Sequence, residues 1–263
     1  MAIATATGAG SGPGRRQNGG MPAHSTPLTV GFDLDMTLID SRPGIRATYR
    51  ALAAETGVFI DADLAASRLG PPLDEELRHW FPEERIEAVA ERFRQLYPDH
   101  AVAPSPALPG AREAVEAVRR AGGRAIVVTA KYQPNAQLHL DHLGITPDVT
   151  IGWLWAEAKA EALRAEGARV YVGDHVGDVR GARAAGAVSV AVATGPCDAA
   201  ELRAAGADVV LPDLTAFPDW LRRYTAGGSP ASGRGAAGEP GEGPVAEVAE
   251  DEPPARPTAD DLA

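Results

Sequence analysis

The sequence contains a single cysteine, Cys197, among its 263 residues. One cysteine excludes a disulfide within the chain and any metal site assembled from several cysteines. A run of about 18 apolar residues is also missing, so no segment is expected to span a membrane. The N-terminal region lacks the continuous apolar stretch of a secretory signal, and polar residues follow Arg15 and Arg16 where a twin-arginine export signal has apolar ones. These absences predict a cytoplasmic protein without a membrane partner.

Positive charge is scarce as well. The 25 lysines and arginines are outnumbered by 36 aspartates and glutamates, for a formal net charge of −11. No segment supplies the basic patch that follows a phosphate backbone, so nucleic acid is not an expected partner. The composition, 44% hydrophobic and 23% charged, is typical of a globular protein of one or two domains.

Composition changes at both ends of the chain. The N-terminal end is rich in glycine, alanine, serine and threonine, and the C-terminal end combines glycine and proline with eight acidic residues. Neither end has an apolar periodicity that could bury enough surface to offset the entropy of ordering it. The predicted regions are a disordered N-terminal tail (1–27), an α/β core domain (28–40 and 106–225), an inserted helical cap domain (41–105) and a disordered acidic C-terminal tail (226–263).

The order of the predicted elements indicates the fold class. After a first strand at 28–32, only helical patterns occur as far as residue 97. One of them carries an apolar stripe at helical spacing that we expect to be buried: Ile86, Val89, Ala90, Phe93, Leu96 and Tyr97. The later predicted elements are helices at 111–121, 135–143, 155–166, 179–185 and 199–205, and strands at 124–128, near 149, and at 169–172, 189–193 and 208–211. This alternation predicts an α/β fold, a Rossmann-like doubly wound parallel sheet with an inserted all-helical cap.

Two carboxylates stand where the first predicted strand ends. Asp33 and Asp35 follow the apolar run Leu28–Phe32 and, two residues apart, are expected to project to the same side of the backbone. The simpler interpretation is a polar turn after a strand. The functional one is a site in which one carboxylate holds a metal and attacks an electrophile while the other moves protons.

Other chemistry-bearing residues follow later predicted strands. Thr129 comes directly after the second strand, and Asp174 and Asp178 come after the strand at 169–172. Lys159 lies on the helix before that strand. Because ligands of parallel sheets bind beyond the carboxyl ends of the strands, we expect these groups to meet the first aspartate pair. Together they predict an oxygen-rich Mg²⁺ site with donors for a phosphoryl group.

With these motifs in order, residues 28–225 resemble the haloacid dehalogenase superfamily of hydrolases, specifically its phosphoglycolate-phosphatase-like branch with an inserted helical cap. The resemblance implies a Mg²⁺-dependent phosphatase acting on a small phosphorylated metabolite. It implies that Asp33 attacks phosphorus to give an aspartyl-phosphate. Asp35 would protonate the leaving oxygen and then activate water, and Thr129 would bind the phosphoryl group.

The same resemblance implies roles for the charged residues around that pair. Lys159 would steady the charge at Asp33 and the phosphate. Asp174 would ligate Mg²⁺ together with Asp33 and the backbone carbonyl of Asp35, and Asp178 would support the metal shell. A carboxylate and a phosphate dianion repel each other, so attack of one on the other requires a cation between them.

The chain departs from the family pattern at two points. Met36 stands where relatives usually carry glycine, and Ala160 follows Lys159 where many relatives carry proline. The second departure leaves open that Lys159 is a solvated lysine on a helix face. Lys131, two residues after Thr129, is the competing catalytic lysine and is otherwise assigned to substrate binding; we favour Lys159.

Substrate choice is expected to reside in the cap. The segment Ser67–Leu73 breaks the helical periodicity with Gly70, Pro71 and Pro72. It is similar to the specificity loop that phosphoglycolate-phosphatase-like relatives direct from the cap into the core site. Arg68 is the cation of this segment and could bind a carboxylate or second phosphate of the substrate. The alternative is that Arg68 caps the preceding helix or pairs with an acidic residue of the cap.

Several other residues receive a structural interpretation. His139 and His142 are three residues apart but lack a third ligand, so we expect an exposed helical face rather than a metal site. His175 is expected at the rim of the site. Trp153 and Trp155 are expected to pack.

Two alternatives to a phosphatase are kept. A sugar-phosphate mutase uses the same two aspartates, and a non-catalytic phosphate-binding protein could use the same fold. A dehalogenase is disfavoured, because Asp35 occupies the position where phosphatases keep their proton shuttle.

Overall fold

The computed structural model describes residues 27–227. The two predicted tails therefore lie almost entirely outside the described residues. The central element is a sheet of six short strands. The strands are β1 (Thr29–Phe32), β2 (Arg124–Val128), β3 (Val149–Ile151), β4 (Ala168–Gly173), β5 (Val188–Val192) and β6 (Val209–Leu211).

All strand pairs of this sheet are parallel, and the strand order is β3-β2-β1-β4-β5-β6. The predicted parallel α/β fold is confirmed. The strand order reverses on the two sides of β1, since β2 lies on one side and β4 on the other. A crevice forms beyond the carboxyl end of the strand at such a reversal, which is where ligands of open α/β sheets bind.

Helices occupy the connections between the strands, and one further helix follows β6. In chain order they are α1 (Arg42–Thr56), α2 (Ala62–Ser67), α3 (Leu73–Leu77), α4 (Ile86–Ala101), α5 (Ala111–Arg120), α6 (Gln133–Leu143), α7 (Lys159–Ala165), α8 (Val176–Ala185), α9 (Ala199–Ala204) and α10 (Phe217–Thr225). Within residues 27–227, no helix has both the length and the apolar character needed to cross a bilayer.

Both faces of the sheet are covered because successive residues of a strand point to opposite faces. In β2, Ala125 and Val127 belong to the cluster that includes apolar residues of α5, α6 and α10. Ile126 and Val128 belong to a second cluster with residues of α7 and α8. The strand is therefore continuously apolar, as a strand buried on both faces must be.

The segment between β1 and α5 contains α1 to α4 and a hydrophobic cluster of its own. The six residues of the predicted apolar stripe on α4 are all buried, so that prediction is confirmed. α1 ends at Gly57, which adopts a left-handed conformation (φ 67°). A Cβ atom at Gly44 would overlap the carbonyl oxygen of Ala101, so α1 and α4 cross closely only because residue 44 is glycine.

Two elements differ from the prediction. The predicted helix at 155–166 is a 3₁₀ turn, Ala156–Ala158, followed by α7, so Lys159 is the first residue of the α-helix rather than a mid-helix residue. Helix α10 is not among the predicted elements. Its apolar residues Phe217, Trp220 and Leu221 are buried against the sheet, so packing rather than a clear local signal defines it.

Candidate active site

The first aspartate pair lies in a tight turn directly after β1. The backbone N–H of Asp33 donates to the carbonyl of Val172 at 2.8 Å, which keeps Asp33 in line with the sheet. Met36 closes the turn in a left-handed conformation (φ 56°). Such a conformation costs a non-glycine residue about 1 kcal/mol. Here the side chain of Met36 is buried and its carbonyl accepts a hydrogen bond from Thr194 Oγ1 at 2.6 Å, which holds the turn in place.

Lys159 is completely buried beneath this turn. Its Nζ donates to Asp33 Oδ1 at 2.9 Å, to Asp178 Oδ1 at 2.6 Å and to the hydroxyl of Tyr171 at 2.7 Å. Tyr171 in turn donates to the carbonyl of Val128 at 2.6 Å. The interpretation of Lys159 as a solvated lysine is therefore wrong. We call Lys159, Asp33, Asp178 and Tyr171 the Lys159 cluster.

Three carboxylates meet at this point. Asp33, Asp174 and Asp178 are buried, and each offers one oxygen within 4.8 Å of the others. Thr37 Oγ1 donates to Asp174 Oδ1 at 2.8 Å. A Cβ atom on Gly195 would overlap the Asp174 carboxylate, so glycine at that position leaves room for it. The structure thus brings together three of the four aspartates predicted for the metal site, and Asp35 is not part of this carboxylate group.

The electrostatics of this group favour an added cation. Burial raises the pKa of Asp33 to about 7, against the attraction of Lys159 and with the repulsion of Asp178 and Asp35. Burial, followed by the charges of Asp178 and Asp33, raises the pKa of Asp174 well above its usual range. One lysine does not neutralise three buried carboxylates. Buried, oxygen-only donors of this kind fit a hard divalent cation.

A second buried lysine lies beside Asp35. Lys131 Nζ is 2.9 Å from Asp35 Oδ1 and donates to the hydroxyl of Tyr97 at 2.6 Å. That hydroxyl is 2.8 Å from Nε2 of His139. Burial alone would raise the pKa of Asp35, but the charge of Lys131 lowers it overall. We call Lys131, Asp35, Tyr97 and His139 the Lys131 cluster.

This cluster corrects one sequence interpretation. His139 was expected on an exposed helical face with His142, but its side chain is fully buried whereas His142 is exposed. The reason is that α6 packs against α4 as well as the sheet, and the ring of His139 meets the edge of Tyr97 at 5.5 Å between centroids. The lack of a third ligand in the sequence did not imply that His139 is exposed.

Thr129 follows β2 as predicted and is buried. Its hydroxyl accepts a hydrogen bond from the backbone N–H of Lys131 at 3.2 Å. It borders a cavity of about 220 Å³ that also contacts Asp33, Asp35 and Lys131. The inserted helical segment lines the opposite side with Tyr49, Arg68, Phe93, Arg94 and Tyr97.

The two arginines of the cavity are held differently. The guanidinium of Arg68 donates to both carboxylate oxygens of Glu76, at 2.9 and 2.6 Å. Arg94 lies 3.5 Å from Asp74 and 3.8 Å from Glu91, and its guanidinium carbon is 4.5 Å from the centre of the Trp153 ring. Arg68 therefore pairs with an acidic residue of the inserted segment, which was the alternative to substrate binding. The ion pairs of Arg94 are longer.

Sequence reasoning did not assign Arg94, Tyr171 or Tyr97 to the site. Tyr97 was read only as part of the apolar stripe of α4, and Tyr171 only as a strand residue. A phenol at a buried position carries a hydroxyl that needs a partner, and that is the signal that could have identified both tyrosines. Arg94 has no comparable signal in the sequence.

His175 borders the acidic group, as predicted, through a capping role. Its Nδ1 accepts the backbone N–H of Gly177 at 3.0 Å, and Asp178 Oδ2 accepts the backbone N–H of His175 at 3.1 Å. This reciprocal pair begins α8 and fixes Asp178 in its first turn. The ring of Trp155 packs on His175 at 5.0 Å, whereas Trp153 is half exposed at the cavity.

Comparison with known proteins agrees with this architecture. Residues 30–183 match the sequence model of the haloacid dehalogenase-like hydrolases, and residues 153–217 match a second model of hydrolases of this type. Among solved structures, a haloacid dehalogenase-like hydrolase from Streptococcus pneumoniae has a TM-score of 0.65 at 22% identity, covering 76% of this chain and 98% of that one. A hydrolase from Pseudomonas syringae has a TM-score of 0.62 at 22% identity, covering 77% and 100%. These structures share the fold.

Curated relatives include two kinds of protein. The tyrosine-protein kinase PtkA of Mycobacterium tuberculosis is 32% identical over 188 residues, covering 66% of this chain; the chain spans 64% of the length of that kinase. A phosphoglycolate phosphatase of Xylella fastidiosa is 32% identical over 188 residues, covering 64% of this chain and 81% of that protein. Another from Caulobacter vibrioides is 28% identical over 219 residues, covering 72% and 89%. The chain belongs to the haloacid dehalogenase-like hydrolase family and, within it, is similar to phosphoglycolate phosphatases.

Proposed function

We propose that the protein is a Mg²⁺-dependent phosphatase that hydrolyses a small phosphorylated metabolite through an aspartyl-phosphate on Asp33. One observation carries the proposal. Asp33 and Asp35 lie on one turn at the edge of a cavity, and each contacts its own buried lysine. Two carboxylates two residues apart, each held by its own lysine, can divide nucleophilic attack and proton transfer between them.

In the first step, a carboxylate oxygen of Asp33 attacks phosphorus and the bond between phosphorus and the ester oxygen breaks. The negative charge of the bound ester favours the protonated form of Asp35. Asp35 then gives its proton to the departing oxygen, which leaves as an alcohol. Thr129 and Lys159 stabilise the negative charge of the phosphoryl group by hydrogen bonding and by charge. The product of this step is phosphorylated Asp33.

In the second step, Asp35, which lost its proton in the first step, acts as a base. It takes a proton from a water molecule as that water attacks phosphorus, and the bond between phosphorus and Asp33 breaks. Inorganic phosphate leaves, and both aspartates return to their starting states. Asp35 thus works as acid and then as base, which requires the side chain to stay in one place through both steps.

The residues proposed to hold Mg²⁺ are Asp33, Asp174 and the backbone carbonyl of Asp35, with Asp178 supporting this shell. Support comes from the three buried carboxylates and from the raised pKa values of Asp33 and Asp174. When bound, Mg²⁺ supplies positive charge between the nucleophilic carboxylate and the phosphate. Asp178 keeps its bond to Lys159, so it orients that lysine as well.

We propose that the inserted segment, 41–105, acts as a cap that selects the substrate. The cavity of about 220 Å³ suits a small ester, and Arg68 and Arg94 offer positive charge on its cap side. A phosphate ester that also carries a carboxylate, such as phosphoglycolate, fits this charge. Arg94 is the better candidate for binding the carboxylate, because Arg68 already binds Glu76 through two short hydrogen bonds.

A kinase is the second candidate, because the similarity to PtkA covers 66% of this chain. The same aspartates could pass a phosphoryl group from ATP to a tyrosine instead of to water. Incubation with ATP and a tyrosine-containing protein separates the two functions. A phosphatase releases inorganic phosphate from small esters, whereas a kinase leaves stable phosphotyrosine.

Two further alternatives are separated by incubation with a sugar phosphate. A sugar-phosphate mutase would return an isomeric sugar phosphate, and a phosphate-binding protein would leave the sugar phosphate unchanged.

The primary test is hydrolysis of p-nitrophenyl phosphate and of a panel of phosphorylated metabolites that includes phosphoglycolate. We expect turnover with Mg²⁺, loss of turnover in excess chelator, and loss by several orders of magnitude in Asp33→Asn. Asp40→Asn is the matched control, because Asp40 lies on the same segment but pairs with Arg42 at the surface. Full activity of Asp33→Asn, or full activity in chelator, would contradict the proposal.

The substrate assignment has its own test. Arg94→Ala should raise KM for phosphoglycolate by ~10-fold or more while sparing p-nitrophenyl phosphate, since it removes one charged contact to the carboxylate. Arg68→Ala is the comparison and should have the smaller effect on KM. Equal effects of Arg94→Ala on both substrates would return Arg94 to a structural role.

A further inference from the structure

The Lys131 cluster contains two groups that the proposed reaction does not use, the Tyr97 hydroxyl and the His139 ring. Lys131 Nζ donates to Tyr97 at 2.6 Å, and the Tyr97 hydroxyl is 2.8 Å from His139 Nε2. On its other side, the ammonium of Lys131 is 2.9 Å from Asp35 Oδ1. A continuous line of polar contacts therefore runs from the acid/base aspartate to a histidine on α6.

The hydrogen bonds of this line have one consistent direction. Burial raises the pKa of Tyr97 to about 12, so the phenol is neutral and has one proton to donate. Its oxygen accepts from Lys131, so its own proton goes to His139 Nε2. Burial, reinforced by the charge of Lys131, lowers the pKa of His139 to about 3, so the ring is neutral and accepts at Nε2. Acceptance by the histidine makes the phenol oxygen a stronger acceptor for the lysine.

Stability alone gives no account of a histidine at this position. The ring is fully buried, and Nδ1, which carries the proton in this arrangement, has no hydrogen-bond partner among residues 27–227. An unsatisfied buried donor costs about 1–3 kcal/mol. An aliphatic side chain would fill the space without that cost, so the useful atom of His139 is Nε2.

The middle of this line and its two ends belong to different parts of the fold. Tyr97 lies on α4 of the inserted segment, whereas Lys131 and His139 lie on the α/β core. Tyr97 can therefore contact both residues only while α4 sits on the core. The proper seating of the inserted segment is thus coupled to the position of Lys131.

We propose that Tyr97 and His139 are positioning residues that hold the Lys131 ammonium against Asp35, so that seating the inserted segment completes the acid/base. The inference rests on the proposed function, because it assigns a task to neighbours of the proposed acid/base. Its consequence is specific to proton transfer. Losing the Tyr97 hydroxyl should impair reactions that need a protonated leaving group more than reactions that do not.

The kinetic test compares kcat/KM for an alkyl phosphate and for p-nitrophenyl phosphate, because kcat/KM reports the steps up to departure of the leaving group. Tyr97→Phe should lower kcat/KM for the alkyl ester by ~10–100-fold and for the aryl ester by less than ~3-fold, since p-nitrophenolate leaves without a proton. His139→Leu should behave alike, and His139→Gln, which keeps an acceptor near Nε2, should recover most of the loss.

Matched controls isolate this pattern. Tyr171→Phe also removes a buried hydroxyl from a buried lysine, but beside Asp33, so it should lower both kcat/KM values by the same factor. Tyr224→Phe alters a tyrosine that stacks on Trp220 and should leave both unchanged. Equal losses for the two esters in Tyr97→Phe, or no loss for either, would overturn the inference. A wild-type protein that hydrolyses neither ester would instead overturn the proposed function.

A spectroscopic test does not depend on activity. Lys131 and Lys159 are the only two lysines in the sequence, so protein labelled with ¹⁵N-lysine should give two side-chain ammonium resonances. Tyr97→Phe and His139→Leu should each shift one of them, the Lys131 resonance, and leave the other in place. Tyr171→Phe should do the reverse. A spectrum in which Tyr97→Phe shifts neither resonance, or shifts both equally, would contradict the positioning role.

Discussion

The Lys159 cluster and the Lys131 cluster are built from the same kinds of group. Each contains a buried lysine, an aspartate of the turn after β1, and a tyrosine whose hydroxyl accepts from the lysine. They differ in what surrounds the aspartate. Asp33 stands beside two further carboxylates and has a raised pKa, whereas Asp35 is paired with one cation and has a lowered pKa.

The clusters also differ in which part of the fold supplies them. Every member of the Lys159 cluster comes from the α/β core, at the ends of β1 and β4 and the starts of α7 and α8. The Lys131 cluster takes Tyr97 from α4 in the inserted segment. The surroundings of Asp33, the proposed nucleophile, are therefore complete within the core, whereas those of Asp35, the proposed acid/base, depend on the inserted helices. If these roles hold, the inserted segment can govern proton transfer without contacting Asp33.

Replacing each lysine by methionine should give the largest difference between the clusters. Lys159→Met removes the charge between Asp33 and Asp178, so kcat/KM for p-nitrophenyl phosphate should fall by ~10²–10³-fold. Lys131→Met should lower it by less than ~10-fold, because this ester needs no proton from Asp35. Steady-state kinetics of the two variants, with Arg42→Met as a surface control, measures the ratio. Equal losses of kcat/KM in the two variants would contradict the assignment of different roles to the two lysines.

Lys159→Met and Lys131→Met should also differ in their free energy of unfolding. Lys159→Met leaves two buried carboxylates without their cation, which costs about 3–5 kcal/mol for a buried pair of this kind. Lys131→Met leaves one aspartate that is partly exposed, so its free energy of unfolding should fall by less. Urea denaturation of both variants gives the two values. A larger loss of unfolding free energy in Lys131→Met would mean that the burial of the aspartates does not determine which lysine contributes more to stability.

Added Mg²⁺ should act on the Lys159 cluster and leave the Lys131 cluster unchanged. Ligand at about 100 times its dissociation constant stabilises a protein by about 2.7 kcal/mol, which for ~200 residues raises Tm by several degrees. Asp174→Asn should abolish the rise in Tm, and Tyr97→Phe should keep it. Differential scanning fluorimetry with and without Mg²⁺ measures the shift. A rise that survives in Asp174→Asn would place the cation elsewhere.

The smallest expected effect is a pH dependence from His139. Burial, then the charges of Lys131 and His142, lower its pKa to about 3 against the opposing charge of Asp35. Between that value and its ordinary pKa of about 6.5, the unfolded chain binds more protons than the folded one, so stability falls as pH falls. His139→Gln lacks this proton uptake. Its free energy of unfolding should therefore decline less steeply from pH 6.5 to 4.

His142→Gln is the control for this measurement, because His142 is exposed on the same helix. It should keep the wild-type decline. A slope that is unchanged in His139→Gln would mean that the ring is not held neutral in the folded protein.

The core of the molecule could be read from the sequence because its signals are local. Strand β2 was predicted with the bounds that the structure has, since Arg124–Val128 is a short apolar run between a helix end and Thr129. The aspartates could be placed together because residues at the carboxyl ends of parallel strands share one edge. Lys159, which begins α7, could be placed with them only through the resemblance to the family. Lys131 could not be assigned to Asp35 in this way, because spacing along the chain gives no side-chain direction after a strand ends.

The contributions of the inserted segment could not be predicted. Tyr97 and Arg94 reach the cavity only through the packing of α4 on the core, and a helical stripe in the sequence says which face is buried but not what it meets. The burial of His139 depends on the same contact. The ion pair between Arg68 and Glu76 joins the end of α2 to α3, and the sequence left this partner as one of two alternatives.

The most direct test of the account is the location of the phosphoryl group in Asp35→Asn. Mixing this variant with p-nitrophenyl phosphate and Mg²⁺ should release about one equivalent of p-nitrophenolate per protein and then nearly stop, because Asp33 can still attack but no base activates water. Acid quenching and peptide mapping should then locate the phosphoryl group on Asp33. A phosphoryl group on any other residue, or continued turnover without a phosphorylated protein, would contradict the account.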